Sequence, residues 1–213
     1  YPSLNEVVSF GVFYKGFTDP IEMYFLPGAG SGGTRNFTFN NAASATSYGA
    51  EVELRRSLSS VITHGALNRV GVLLNAAWIR TTIDLGGDAV GQSTERPLMG
   101  QSPYVVNAGL YYTDNDRGLQ CNVLYNVIGP RLFAVGTFGS PDIYEVPRNV
   151  IDVTATKNLG KRFELKLSVQ DLLNQRVRLV QDSDESGKLD QADEEVMSFR
   201  RGQYVSAGIA YRF

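Results

Sequence analysis

The sequence predicts an all-β protein, an antiparallel up-and-down transmembrane β-barrel segment of about eight strands. Three observations predict it. Apolar and polar residues alternate with a period of two through most of the 213 residues. Many of the alternating runs are nine residues or more, where soluble strands average about five or six and a tilted membrane strand needs about nine to eleven. The connections alternate between long and short, as they do when all long loops share one rim and all tight turns the other.

The strands follow in order. "VVSFGVFYKGF" places Val8, Phe10, Val12 and Tyr14 on one face, and "YGAEVELRR" sets Tyr48, Ala50, Val52 and Leu54 against Glu51, Glu53 and Arg55. "RVGVLLNAAWIRT" aligns Val70, Val72, Leu74, Ala76 and Trp78, and "YVVNAGLYYT" aligns Tyr104, Val106, Ala108, Leu110 and Tyr112. "LQCNVLYNV", "NVIDVTATK" and "RFELKLSVQ" oppose aliphatic residues to Asn, Asp, Thr, Glu and Lys in the same way. The last run, "QYVSAGIAYRF", aligns Val205, Ala207, Ile209, Tyr211 and Phe213. Long connections fall at 18–46, 84–102, 136–148 and 182–197, and short ones at 57–68, 113–118 and 158–161. The tight turns carry Asn, Asp and Gly, which tolerate their backbone angles. In a membrane the apolar face meets lipid and the mixed face the lumen, and open edges find no partner, so the sheet must close. Glu51, Glu53, Arg55, Glu164 and Lys166 are then lumenal, and Trp78, Tyr112 and Tyr211 suit interfacial girdles. A soluble calcium-binding β-sandwich shows the same alternation and is the alternative fold.

Composition narrows the function. With 20 basic and 22 acidic residues the net charge is −2, which gives no reason to expect a nucleic-acid partner. The lone Cys121 sits in an apolar register, and the lone His64 lies between strands. They allow no intrachain disulfide and no usual zinc site, and His64 has no evident acid partner. The expectation is a non-enzyme with no catalytic residues and no required cofactor. The chain opens "YPSLNEVVSF", with no initiator Met and no charged leader segment, and reads as a mature chain or a piece of a longer one.

The final strand ends on Phe213, two residues after Tyr211. This resembles the C-terminal signature of Gram-negative outer-membrane barrels, whose terminal aromatic is read by the barrel-assembly machinery. "FYKGFTDPIE", "TSYGAEVELRR", "ERPLMGQSPYVVNAGLYYTDND" and "LSVQDLLNQRVR" together resemble the C-terminal barrel portion of TonB-dependent outer-membrane receptors. The resemblance implies a 22-stranded barrel of which these are the last eight strands, a separate plug domain, and TonB, which draws on the inner-membrane proton gradient. Siderophore, cobalamin, glycan or peptide is then the imported nutrient, and no plug is present in 1–213. A complete eight-stranded structural or adhesion barrel has the same strand parity and is the other alternative.

Two candidate sites follow. The first long connection holds Tyr24, Phe25, Arg35, Phe37 and Phe39. They form a ligand-binding set, or else aromatics that fold the loop onto its neighbours. In "QDSDESGKLDQADEE" the residues Asp182, Asp184, Ser186, Lys188, Asp190 and Asp193 occupy positions 1, 3, 5, 7, 9 and 12 of a calcium loop, with Gly187 at 6. Lys188 would offer its carbonyl, and Asp193 replaces the usual bidentate Glu. With no flanking helices, the readings are a structural Ca²⁺ in one outer loop or a solvated acidic tip.

Overall fold

Alternation carries directly into an eight-stranded antiparallel sheet. In the computed structural model the strands are β1 (Val7–Thr18), β4 (Ser44–Ser57), β5 (Val70–Asp84), β6 (Tyr104–Asp114), β7 (Leu119–Ile128), β10 (Arg148–Leu159), β11 (Phe163–Gln170) and β14 (Tyr204–Tyr211), neighbours in that order. The structure describes residues 6–26, 36–60, 62, 65–88, 92, 96–137, 140–183, 189 and 193–213. Register fixes the faces. Val12 opposes Ala50, Ala50 opposes Trp78, and Trp78 opposes Tyr104, so the apolar sets of successive strands share one side. Phe10 is 75% exposed and Ile209 likewise 75%, an exposure that only lipid makes favourable.

The inner face is polar. Asn126 Nδ2 donates to Asn107 Oδ1 at 2.7 Å, and the Ser168 and Ser206 hydroxyls meet at 2.7 Å. Glu51, Glu53, Arg55, Glu164 and Lys166 lie on this side by register; Glu164 pairs with Arg212 near the tight-turn rim. Gly49 is required here, because a Cβ would strike the Trp78 carbonyl and the Phe13 ring that lies over it. Aromatics ring both rims on the lipid side. Tyr14, Tyr48, Trp78 and Tyr104 sit toward the long loops, Tyr48 meeting Trp78 edge-on at 6.2 Å. Phe163, Tyr211 and Phe213 stack in sequence at 5.1 and 5.2 Å at the other rim.

The sheet is an arc. Among the described residues β1 and β14 each have one strand neighbour and do not pair with one another, so the sheet as described is not closed.

The long connections differ from the expectation. They are not plain loops, and two begin earlier than the 136–148 and 182–197 read from alternation. β2 (Ile21–Leu26) pairs with β3 (Asn36–Asn41), while β8 (Arg131–Ala134), β9 (Ile143–Glu145), β12 (Val177–Gln181) and β13 (Glu194–Phe199) form a second sheet in the order β8-β9-β12-β13. These strands continue the wall upward. Ile128 opposes Arg148, and past Gly129-Pro130 and Val146-Pro147 the same register resumes with Arg131 opposite Glu145. Proline has no N–H to donate, so the ladder breaks and the wall bends there. Asp19 (φ 50°) with Pro20, and Asp171 (φ 53°) with Asn174 (φ 44°), kink the other strands. A parallel bridge from Tyr24 to Val135, with Val135 N–H donating to the Met23 carbonyl at 2.9 Å, links the β2–β3 hairpin to this upper sheet.

Candidate functional site

"IEMYFL" is apolar except for Glu22, and β2 turns Glu22 and Tyr24 inward together, at 0% and 4% exposure. A buried carboxylate requires a counter-charge and hydrogen bonds. The connection between β5 and β6 supplies both. Arg96 grips Glu22 with two parallel bonds, Nη1 to Oε1 at 2.8 Å and Nη2 to Oε2 at 2.7 Å. The Met99 N–H donates to Oε1 at 3.1 Å, and the Tyr24 hydroxyl to Oε2 at 3.4 Å. Leu98 N–H donates to Thr81 Oγ1 at 3.1 Å, tying the same segment to β5. Around the pair, Tyr24, Leu132, Val135, Tyr144 and Val180 form the core of the cap, with Met99 and Leu189 packed against it.

The electrostatics follow from burial. Burial pulls the Arg96 guanidinium down, but hydrogen bonding and charge from Glu22, then Asp142 and Tyr24, outweigh it and hold it above its ordinary value. Burial raises the Asp142 carboxyl, against the Gly136 N–H bond and Arg96, which lower it. Burial raises the Tyr144 phenol, reinforced by Asp142 and Asp182.

Beside this cluster a cavity of about 1100 Å³ opens at the bend of the wall, between the upper half of β5 and the Tyr144–Pro147 stretch. Arg80 and Arg96 are its charged lining, Tyr144, Val146 and Leu189 part of its apolar lining. Arg96 is 5% exposed, and its Nε is buried without a hydrogen-bond partner among the described residues.

The residues expected from sequence fall differently. Tyr24 is buried in the core of the cap, while Phe37 and Phe39 stand 43% and 69% exposed on β3. The Phe25 side chain, Arg35 and His64 lie outside the described residues, as do Asp184, Ser186, Lys188 and Asp190. Asp182 is buried at the end of β12, its N–H donating to the Asp142 carbonyl at 2.9 Å. Asp193 Oδ1 accepts from the Ser183 N–H at 3.3 Å, closing the base of the β12–β13 hairpin. Among the described residues no group of three or more His, Cys, Asp or Glu is placed to hold a metal. Glu22, Arg96, Asp142 and Tyr144 carry the cluster and were not singled out from sequence. Glu22 had a local signal, a lone acid in an apolar run; Arg96, 74 residues away, had none.

An apolar outer face, a polar inner face and a packed cap over the long-loop rim define a membrane β-barrel wall. The chain belongs to the TonB dependent receptor-like β-barrel family, whose model matches residues 2–172. Its place is therefore the Gram-negative outer membrane. A sequence comparison with curated proteins gives no match. Among solved structures it is similar over its whole length to the copper transporter OprC (TM-score 0.62, 13% identity) and to the ferric yersiniabactin uptake receptor FyuA from Yersinia pestis (0.60, 15%). A variant of the ferric enterobactin receptor PfeA from Pseudomonas aeruginosa follows (0.58, 14%). The chain spans 30%, 28% and 30% of those three chains.

Proposed function

We propose that this chain is the C-terminal eight strands of a 22-stranded TonB-dependent receptor that imports a scarce nutrient across the outer membrane. The observation that carries this is the open arc: eight antiparallel strands of 8 to 15 residues with a polar inner face, leaving two edges for further strands of the same wall. The remaining strands and a plug domain complete the pore, and TonB, drawing on the inner-membrane proton gradient, moves the plug. The cap faces outward and receives the solute, while this chain's strands supply the wall and its aromatic girdles hold the depth. Tyr211 and Phe213 serve as the assembly signal. In the 182–193 connection the support for a structural Ca²⁺ is the spacing of its oxygens in the sequence. Calorimetric titration of calcium into the whole receptor, with Asp182→Ala as control, tests it; no heat at millimolar calcium rejects the ion.

Uptake can be tested while the solute is still unidentified. Cells lacking the receptor, cells lacking TonB and parent cells are grown in one limiting medium, and the spent media are compared by mass spectrometry. The expected result is a solute left behind by both deletion strains. A receptor deletion that leaves behind nothing that the TonB deletion leaves rejects the reading.

A further inference from the structure

We propose that the cavity at the bend of the wall takes an extended peptide, which adds as a strand to the free edge of β5. This rests on the uptake reading and names the class of solute.

The argument begins with register. β5 pairs with β4 up to Asp84 but with β6 only as far as Trp78 opposite Tyr104. Residues 79–84 therefore stand above β6 and have, among the described residues, a strand neighbour on one side alone. Ile79 N–H still donates to the Pro103 carbonyl at 2.9 Å. Backbone groups alternate sides along a strand, so those of Thr81 and Ile83 point the same way as Ile79, toward the missing neighbour. The part of this edge that lines the cavity, residues 79–82, runs about 13 Å at roughly 3.3 Å per residue.

Among the described residues no segment of the chain pairs with this edge beyond Ile79. Pro97, Pro103, Pro130 and Pro147 line the cavity, and a proline has no N–H to give to a ladder. The 96–99 segment approaches β5 through the Thr81 hydroxyl instead of its backbone. An unpaired edge invites pairing with any extended chain that reaches it.

The remaining features fit the same occupant. Small-molecule pockets run to about 1000 Å³, so a cavity of about 1100 Å³ admits a short peptide. Tyr144, Val146 and Leu189 give apolar contact for alternate side chains. Arg80 and Arg96 make the lining cationic, which suits the terminal carboxylate of a free peptide. No acidic side chain stands among the residues identified on that lining. Main-chain bonds to the β5 edge set affinity with little regard to sequence, and the apolar wall sets preference.

The test uses the full-length receptor in detergent and a pool of synthetic hexapeptides with free carboxylates. Retained peptides are identified by mass spectrometry, and the best is titrated calorimetrically beside its analogue N-methylated at alternate residues. N-methylation removes edge-pairing donors and leaves the protein untouched. The expected result is retention of peptides, with affinity falling roughly tenfold or more on N-methylation. Equal affinity for the N-methylated peptide overturns strand addition, and no retained peptide overturns the inference outright. Uptake is read independently by the spent-medium comparison: a TonB-dependent solute with no peptide binding sinks this inference alone, whereas failure of that comparison sinks the uptake reading beneath it.

Discussion

Glu22 and Arg96 show how much of the cap depends on one buried pair. Both side chains are at most 1% exposed, and removing one partner leaves the other charge without compensation. Arg96→Met is expected to destabilise the cap by about 3–5 kcal/mol, whereas Glu22→Leu with Arg96→Met recovers most of it because the pair is replaced by packing. Protease digestion of whole cells, with cleavage within 19–43 and 85–103 as the readout, separates the two; equal cleavage of single and double variants contradicts the account. Asp142 adds a pH dependence. Its folded carboxyl is raised above the ordinary carboxylate range, chiefly by burial. The folded state then binds the proton more tightly than the unfolded state, so this group's contribution falls as pH rises through the window between the ordinary and the raised value. Cap protection is expected to be greater at the acid end of that window than at its alkaline end, and Asp142→Asn to flatten the difference. A profile in Asp142→Asn as steep as the parent's assigns the effect elsewhere.

At the scale of elements, the eight membrane strands were legible and the six short ones were not, for one physical reason. A strand with lipid on one side and lumen on the other must alternate, and alternation survives in sequence. In the cap both faces are covered: Ile143 with Tyr144, and Leu179 with Val180, are consecutive buried residues, so the period of two disappears. The break after Gln170 is made by left-handed Asp171 and Asn174 rather than by Gly or Pro, so residues 171–181 carry no turn signal and the connection reads as beginning only at 182. The calcium spacing was legible as a pattern, but its geometry rests on residues outside those described. Glycines inside strands were also visible without their reason. Gly49 makes room for the Phe13 ring against the Trp78 carbonyl, an inner-face counterpart of the girdles. Gly49→Ala is expected to force β4 and β5 apart and to cost about 1–3 kcal/mol. The check is heat-modifiable mobility of the full-length barrel on detergent gels.

For the whole molecule the decisive feature is the pair of open edges. β1 and β14 end the sheet and are highly exposed on their lipid side, Val8 at 63% and Val205 at 70%. In water an exposed strand edge invites aggregation, and in hydrocarbon each unpaired backbone group costs several kcal/mol. On the proposed reading the further strands of a larger closed wall meet that penalty. The 213-residue chain produced alone is accordingly expected to stay unfolded or aggregate when diluted from denaturant into lipid vesicles. It should give no heat-modifiable band and no protease-protected core. The full-length protein under the same dilution is expected to give both. If the isolated chain yields a protected monomer in vesicles, β1 and β14 find one another in the bilayer. The small closed barrel, packed solid with the inner-face side chains, then replaces the arc.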